Sequence, residues 1–182
     1  THCIEAIMSP INDPPAEAVG LDGIEKIVRD ESLINACKDG QDLDARWNMM
    51  MASTEGAMAF SKGLGAVHSM SHAIGANQEL RLHHGTLNGV ILPTVIRFNK
   101  DHVGDKLPRI LRAMGKSESA DLADEIEKFN EKINLPSGLK EMGVTEEMIP
   151  ELVEHSITDP SNVTTPRLPS PEEWEQLFLS AM

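Results

Sequence analysis

Apolar residues recur at helical spacing along this chain, and nowhere do they alternate. No segment carries the period-2 pattern of a half-buried strand, and no internal repeat is present. That pattern leaves an all-α fold, with about eight to ten helices expected in one domain spanning residues 1–182. The length suffices for a substantial core. Composition agrees: with no Tyr, two Trp and four Phe against ten Met, the chain suits closely packed helices better than a sheet. The net charge is −13 and no Lys/Arg cluster stands out, which argues against nucleic acid and anionic membrane surfaces as partners. No apolar run approaches the roughly 18 residues that a membrane span needs.

Taken in order, residues 1–9 read as the end of a helix stopped by Pro10, with His2, Glu5, Ala6 and Ser9 on one side. The chain opens on Thr1-His2-Cys3-Ile4, without an initiator Met and already in helical rhythm, so it reads as a piece of something longer. Asp13-Pro14-Pro15 predicts a capped helix start, and the apolar pattern then runs as one helix to Cys37. Leu43 to Phe60 forms a third pattern. Its broad apolar face (Leu43, Trp47, Met50, Met51, Met58) predicts a central helix. Leu87 to Phe98 is strongly apolar, with Pro93 expected to kink the helix or lie near its start. Further amphipathic pieces follow around Ile110, Ile126 and Leu152. An irregular crossing segment covers residues 159–171, and Ser170-Pro171-Glu172-Glu173 is a capping box that opens a last helix. Cys3 and Cys37 lack metal-type spacing and fall within apolar patterns. Both are expected to be buried reduced thiols, in keeping with a cytoplasmic compartment.

Chemistry concentrates in Gly63 to Asn88, which holds four of the seven histidines. At about 100° per residue, His68 and His72 share a polar stripe with Ser71 and Gly75. Ala66, Val67, Met70, Ala73 and Ile74 lie opposite. An i,i+4 pair of imidazoles can converge on one metal ion, and it can equally be a solvated helix face. His83-His84-Gly85 favours a site, because a short polar loop can fold back over the stripe. Adjacent side chains point apart, so one ligand is expected from this pair. His2 is a further candidate, with Glu5 on the same face to orient a ligand or form a structural pair. His102 and His155 lie among charged residues and read as surface. The Gly63-x-Gly65 run follows no strand and lacks a third glycine, so it is not a dinucleotide fingerprint.

These residues resemble the iron-containing (group III) alcohol dehydrogenases. The resemblance is carried by Gly63-Leu-Gly-Ala-Val-His68-Ser-Met-Ser-His72-Ala-Ile-Gly-Ala, by His84-Gly85-Thr-Leu-Asn88, and by the run through Leu92-Pro93 to Arg97-Phe98-Asn99. Thr1-His2-Cys-Ile-Glu5-Ala, Asp159-Pro160 and Pro166-Arg167 fit as well, so it covers essentially the whole chain. It implies the C-terminal all-helical domain of an enzyme whose N-terminal α/β domain binds NAD(P). It also implies a divalent metal, Fe(II) first and Zn(II) as an alternative, held by His2, His68 and His84. His72 is then expected to face substrate and nicotinamide, as a proton relay or positioning group. The family's fourth ligand, an Asp one turn before the first histidine, would precede Thr1.

The implied activity is alcohol dehydrogenation or aldehyde reduction, with small alcohols and aldehydes as substrates. The chain by itself is expected not to turn over. A metal-dependent lyase of the dehydroquinate synthase-like type and a stand-alone helical metal-binding or interaction module are the alternatives. Apolar surface meant for a further domain is expected to be exposed or covered by another copy in a homo-oligomer.

Overall fold

A computed structural model describes all residues, 1–182, and contains ten α-helices and no strand. They are α1 (His2–Met8), α2 (Pro14–Ile24), α3 (Ser32–Lys38), α4 (Leu43–Ala59), α5 (Ala66–Gly75), α6 (His84–Asn99), α7 (Lys106–Ala113), α8 (Leu122–Lys132), α9 (Ile149–Thr158) and α10 (Pro171–Ser180). Local chemistry sets most of the starts. Asp13, Asp42 and Asp121 each accept a backbone N–H as N-caps of α2, α4 and α8. The Ser170–Glu173 capping box opens α10, whose Trp174 and Phe178 are fully buried. Burial of the Phe178 ring contributes roughly 1.5–3 kcal/mol.

The helices pack as two groups around a shared core. In the first, α1 and α4 lie against α2, and α3 lies against α4. In the second, α5 packs between α6 and α9, with α8 and α10 outside. Helix α7 touches α1, α2 and α8 and so joins the groups. Helix α1 is held deep in the seam. Lys62 is buried and its Nζ donates to the carbonyls of Ala6, Ile7 and Ser9, which closes the C-terminal end of α1, while Glu17 neutralises it at 2.9 Å. Gly56 of α4 lets α1 approach closely, since a Cβ there would stand 3.3 Å from His2 Cβ.

Pro93 lies inside α6, and the helix continues through it. The missing N–H leaves the Gly89 carbonyl free, and Asn130 of α8 supplies the donor at 2.8 Å.

Three expectations are corrected. The helix expected from Pro14 to Cys37 is two helices. A π-helical turn at Glu25–Arg29 follows α2, and Glu31 takes a left-handed φ of 53° before α3. No Gly or Pro marks that break, so no composition signal announces it. The broad apolar face of α4 is not its buried face: Leu43, Trp47, Met50 and Met58 are exposed, while Ala45, Ala52, Gly56 and Ala59 pack inward. Close helix approach selects small residues there. Cys37 is exposed, because it sits in the last turn of the short α3; Cys3 is buried as expected.

Candidate metal centre

The four histidines singled out from the sequence meet at the seam between the two helix groups. His2 comes from the first turn of α1, His68 and His72 from α5, and His84 from the first position of α6. The ring centroids lie 4.8 Å apart for His2–His68, 5.3 Å for His68–His84, 5.6 Å for His68–His72 and 5.4 Å for His72–His84. His68 is buried, His2 half-buried, and His72 and His84 open to the outside. A Cβ added at Gly75, on the same stripe, would meet nothing.

Glu5 organises this cluster. It is buried, its Oε1 accepts the Val67 N–H at 2.9 Å, and its Oε2 takes the Nδ1–H of His68. The His68 tautomer is thereby set, with Nε2 left as an acceptor. Gly65 makes room for this contact, since a Cβ there would stand 3.2 Å from Glu5 Oε1.

Opposite Glu5 stands Asn88, one turn along α6 from His84. Its Nδ2 group donates to His68 Nε2 at 3.3 Å and to His84 Nε2 at 3.0 Å. Its Oδ1 is buried without a partner. The His84 Nδ1 faces Ser71 Oγ at 3.5 Å. Burial, with repulsion from the neighbouring His68, pushes the His2 pKa down to about 4. Burial, with repulsion from His68 and His72, also lowers that of His84. Both rings are therefore neutral at neutral pH, the form in which imidazole binds a metal.

No three His, Cys, Asp or Glu side chains form a ready-made metal cage as they stand. His2 and His68 stack face to face, and the Asn88 amide lies between the His68 and His84 Nε2 atoms. The donor set nevertheless fits a cation. Two Nε2 lone pairs already converge on one electropositive group, and a metal ion asks the same of imidazole as an N–H does.

His72 stands at the rim with its Nδ1 2.9 Å from Asp159 Oδ2. His83 acts on the backbone instead, where its Nδ1 accepts the Thr86 N–H and caps α6. His102 and His155 are exposed, as their charged surroundings suggest. Sequence reasoning misses Asn88 as a participant, although its i+4 spacing from His84 is available as a signal. It gives no role to Asp159, and nothing local places that residue beside His72.

Fold and site together define an all-helical domain with a histidine-lined centre at its seam. The Fe-containing alcohol dehydrogenase family, C-terminal, matches over residues 1–182. The 4-hydroxybutyrate dehydrogenase of Cupriavidus necator is 41% identical over 188 aligned residues, covering 100% of this chain and 49% of that protein. Alcohol dehydrogenase 4 of Saccharomyces cerevisiae is 36% identical and is matched over 91% of this chain and 44% of its own length. The crystal structure of a 1,3-propanediol oxidoreductase superposes with a TM-score of 0.92 at 31% identity, over 100% of this chain and 49% of that one. The chain belongs to the iron-containing alcohol dehydrogenase family, as its C-terminal part. It spans about half the length of the curated relatives it matches.

Proposed function

We propose that this chain is the metal-binding, substrate-facing half of an NAD(P)-dependent alcohol dehydrogenase or aldehyde reductase. The observation that carries the proposal is the meeting of four imidazoles from three helices, one of them (His68) held by a buried carboxylate, in a chain of this family. His2, His68 and His84 would hold a divalent metal, Fe(II) or Zn(II), and His72 would serve substrate and nicotinamide. When bound, the metal supplies Lewis-acid polarisation of the alcohol or carbonyl oxygen, and NAD(P) exchanges the hydride.

The chain's own residues do the rest. Glu5 keeps the His68 Nδ1 protonated and its Nε2 directed at the centre. The Asn88 amide holds the same two Nε2 lone pairs, of His68 and His84, that a metal would take, and would have to yield them when an ion binds. The rigid helices α1, α5 and α6 fix the donors against one another. His72, at the open rim, handles a proton.

The test pairs this chain with an α/β nucleotide-binding half and follows NADH and NADPH oxidation with short aldehydes. The relationship to a 4-hydroxybutyrate dehydrogenase makes a short hydroxy acid and its semialdehyde the first substrates to assay. Turnover is expected to vanish on chelation and return with Fe(II) or Zn(II), and the 182-residue chain is expected to be inactive by itself. Aldehyde reduction that survives complete metal removal would overturn the proposal.

A further inference from the structure

We infer that Asp159 is the residue that positions His72, the two forming a dyad that presents a lone pair at His72 Nε2 for proton transfer. This rests on the dehydrogenase reading for the reaction served, but not for the dyad's geometry.

Asp159 follows the last turn of α9 and starts the crossing segment. Its carboxylate is held independently of His72. Oδ1 accepts the Ser161 N–H at 2.8 Å and lies 3.5 Å from Ser69 Oγ, while Oδ2 meets His72 Nδ1 at 2.9 Å. The segment behind it is pinned as well. Ser69 Oγ donates to Asn162 Oδ1 at 2.8 Å, and Asn162 Nδ2 donates to the carbonyls of Ser156 and Ile157. Thr164 Oγ1 donates to the Leu64 carbonyl at 2.6 Å, and Gly63 has no side chain to obstruct it. The Asp159 side chain is 11% exposed and that of His72 is 44% exposed, so the fixed partner is inside and the working ring outside.

Burial pushes the Asp159 carboxyl up, but hydrogen bonds from Ser161 and His72 outweigh it and hold the group below the usual aspartate range. An ionised carboxylate only accepts, so Nδ1 of His72 carries its hydrogen towards Asp159 and Nε2 keeps its lone pair. Stacking on His84, at an interplanar angle of 13°, fixes the plane of the ring. Carboxylate, tautomer and ring plane are thus all set before substrate arrives.

In alcohol oxidation the substrate O–H bond breaks and its proton passes to His72 Nε2. The hydride leaves carbon with its electron pair for the oxidised nicotinamide. Asp159 stays ionised and stabilises the imidazolium, which then releases its proton to water.

The variant Asp159→Asn keeps an Oδ1 acceptor for the Ser161 N–H, so the turn stays capped, but it offers an NH2 group to His72. In 15N-correlated NMR of this chain, wild type is expected to show the Nδ1–H tautomer of His72, and Asp159→Asn the Nε2–H tautomer. In the protein that joins this chain to its nucleotide-binding half, kcat for alcohol oxidation is expected to fall about 100-fold. KM and metal content stay near wild type, and Asp159→Glu recovers part of the loss. In a His72→Ala background, Asp159→Asn should cost nothing more. An unchanged tautomer, or an equal loss with and without His72, would overturn the inference. If even wild type shows no nicotinamide-dependent turnover, the dehydrogenase reading fails and the tautomer alone decides the dyad.

Discussion

Helices α4 and α5 are consecutive and bury opposite kinds of residue. On α4 the large apolar side chains face outward: Trp47 is 62% exposed and Met50 65%. Its inward stripe is Ala45, Ala52, Gly56 and Ala59. On α5 nearly everything is buried, including the polar His68, Ser69 and Ser71. Burial therefore follows which neighbours a helix face meets, and not how apolar that face is. Helix α5 is sandwiched between α6 and α9 and takes its polar groups inside because each finds a partner there. Helix α4 has α1, α2 and α3 on one side and needs small residues to let them in.

The same substitution at two methionines sharpens this contrast most. Met70→Ala on α5 removes a fully buried side chain and is expected to cost about 2–5 kcal/mol in denaturant unfolding. The polar side of α5 is next. Glu5→Gln keeps an acceptor for Val67 but presents an NH2 group to His68, which reverses the tautomer. Metal affinity, read by competition with a chelator, should fall about 10- to 100-fold. On the inner face of α4, Ala52→Leu at a buried position should overpack the interior and lower stability by roughly 1–3 kcal/mol in denaturant unfolding.

A graded effect of pH comes after these. His2, with its pKa pushed down to about 4, and His84, also lowered by burial, bind fewer protons folded than unfolded, where histidine titrates near 6.5. For His2 the contribution to the metal-free chain is complete above about pH 6.5 and is lost as pH falls from there towards about 4; the lowered pKa of His84 adds a loss of the same sign on acidification. Thermal unfolding across that window reads it. A melting temperature that rose on acidification through this range would contradict the buried, neutral state of both rings. Smallest of all, Met50→Ala on the outer face of α4 should stay within about 0.5 kcal/mol of wild type. A large loss there would mean that the outer face is packed against something in solution.

Much of this architecture is legible without coordinates. The helices of the second half, the capping box at Ser170 and the shared stripe of His68 and His72 all follow from residue spacing. Spacing also limits the adjacent pair His83 and His84 to one side chain facing the stripe, and the family resemblance picks His84. The break at Asp30–Glu31 is invisible because a π-turn and a left-handed glutamate leave no composition mark. The buried face of α4 is misread when apolar bulk is taken as a sign of burial. Asn88 sits at the right spacing, but an amide between two imidazoles is recognisable only from their relative positions.

Helix formation is a local process, closed by hydrogen bonds four residues apart and by caps beside them, so sequence alone determined the all-α class and the residue types available for a metal. The site itself is not local. Glu5 meets Val67 across 62 positions of sequence, and His72 meets Asp159 across 87. Only the packing of α1 against α5, and the path of the crossing segment from α9, decided which carboxylate orients which imidazole. No spacing rule reaches that far, because those contacts depend on how helices settle against one another and not on how each one turns.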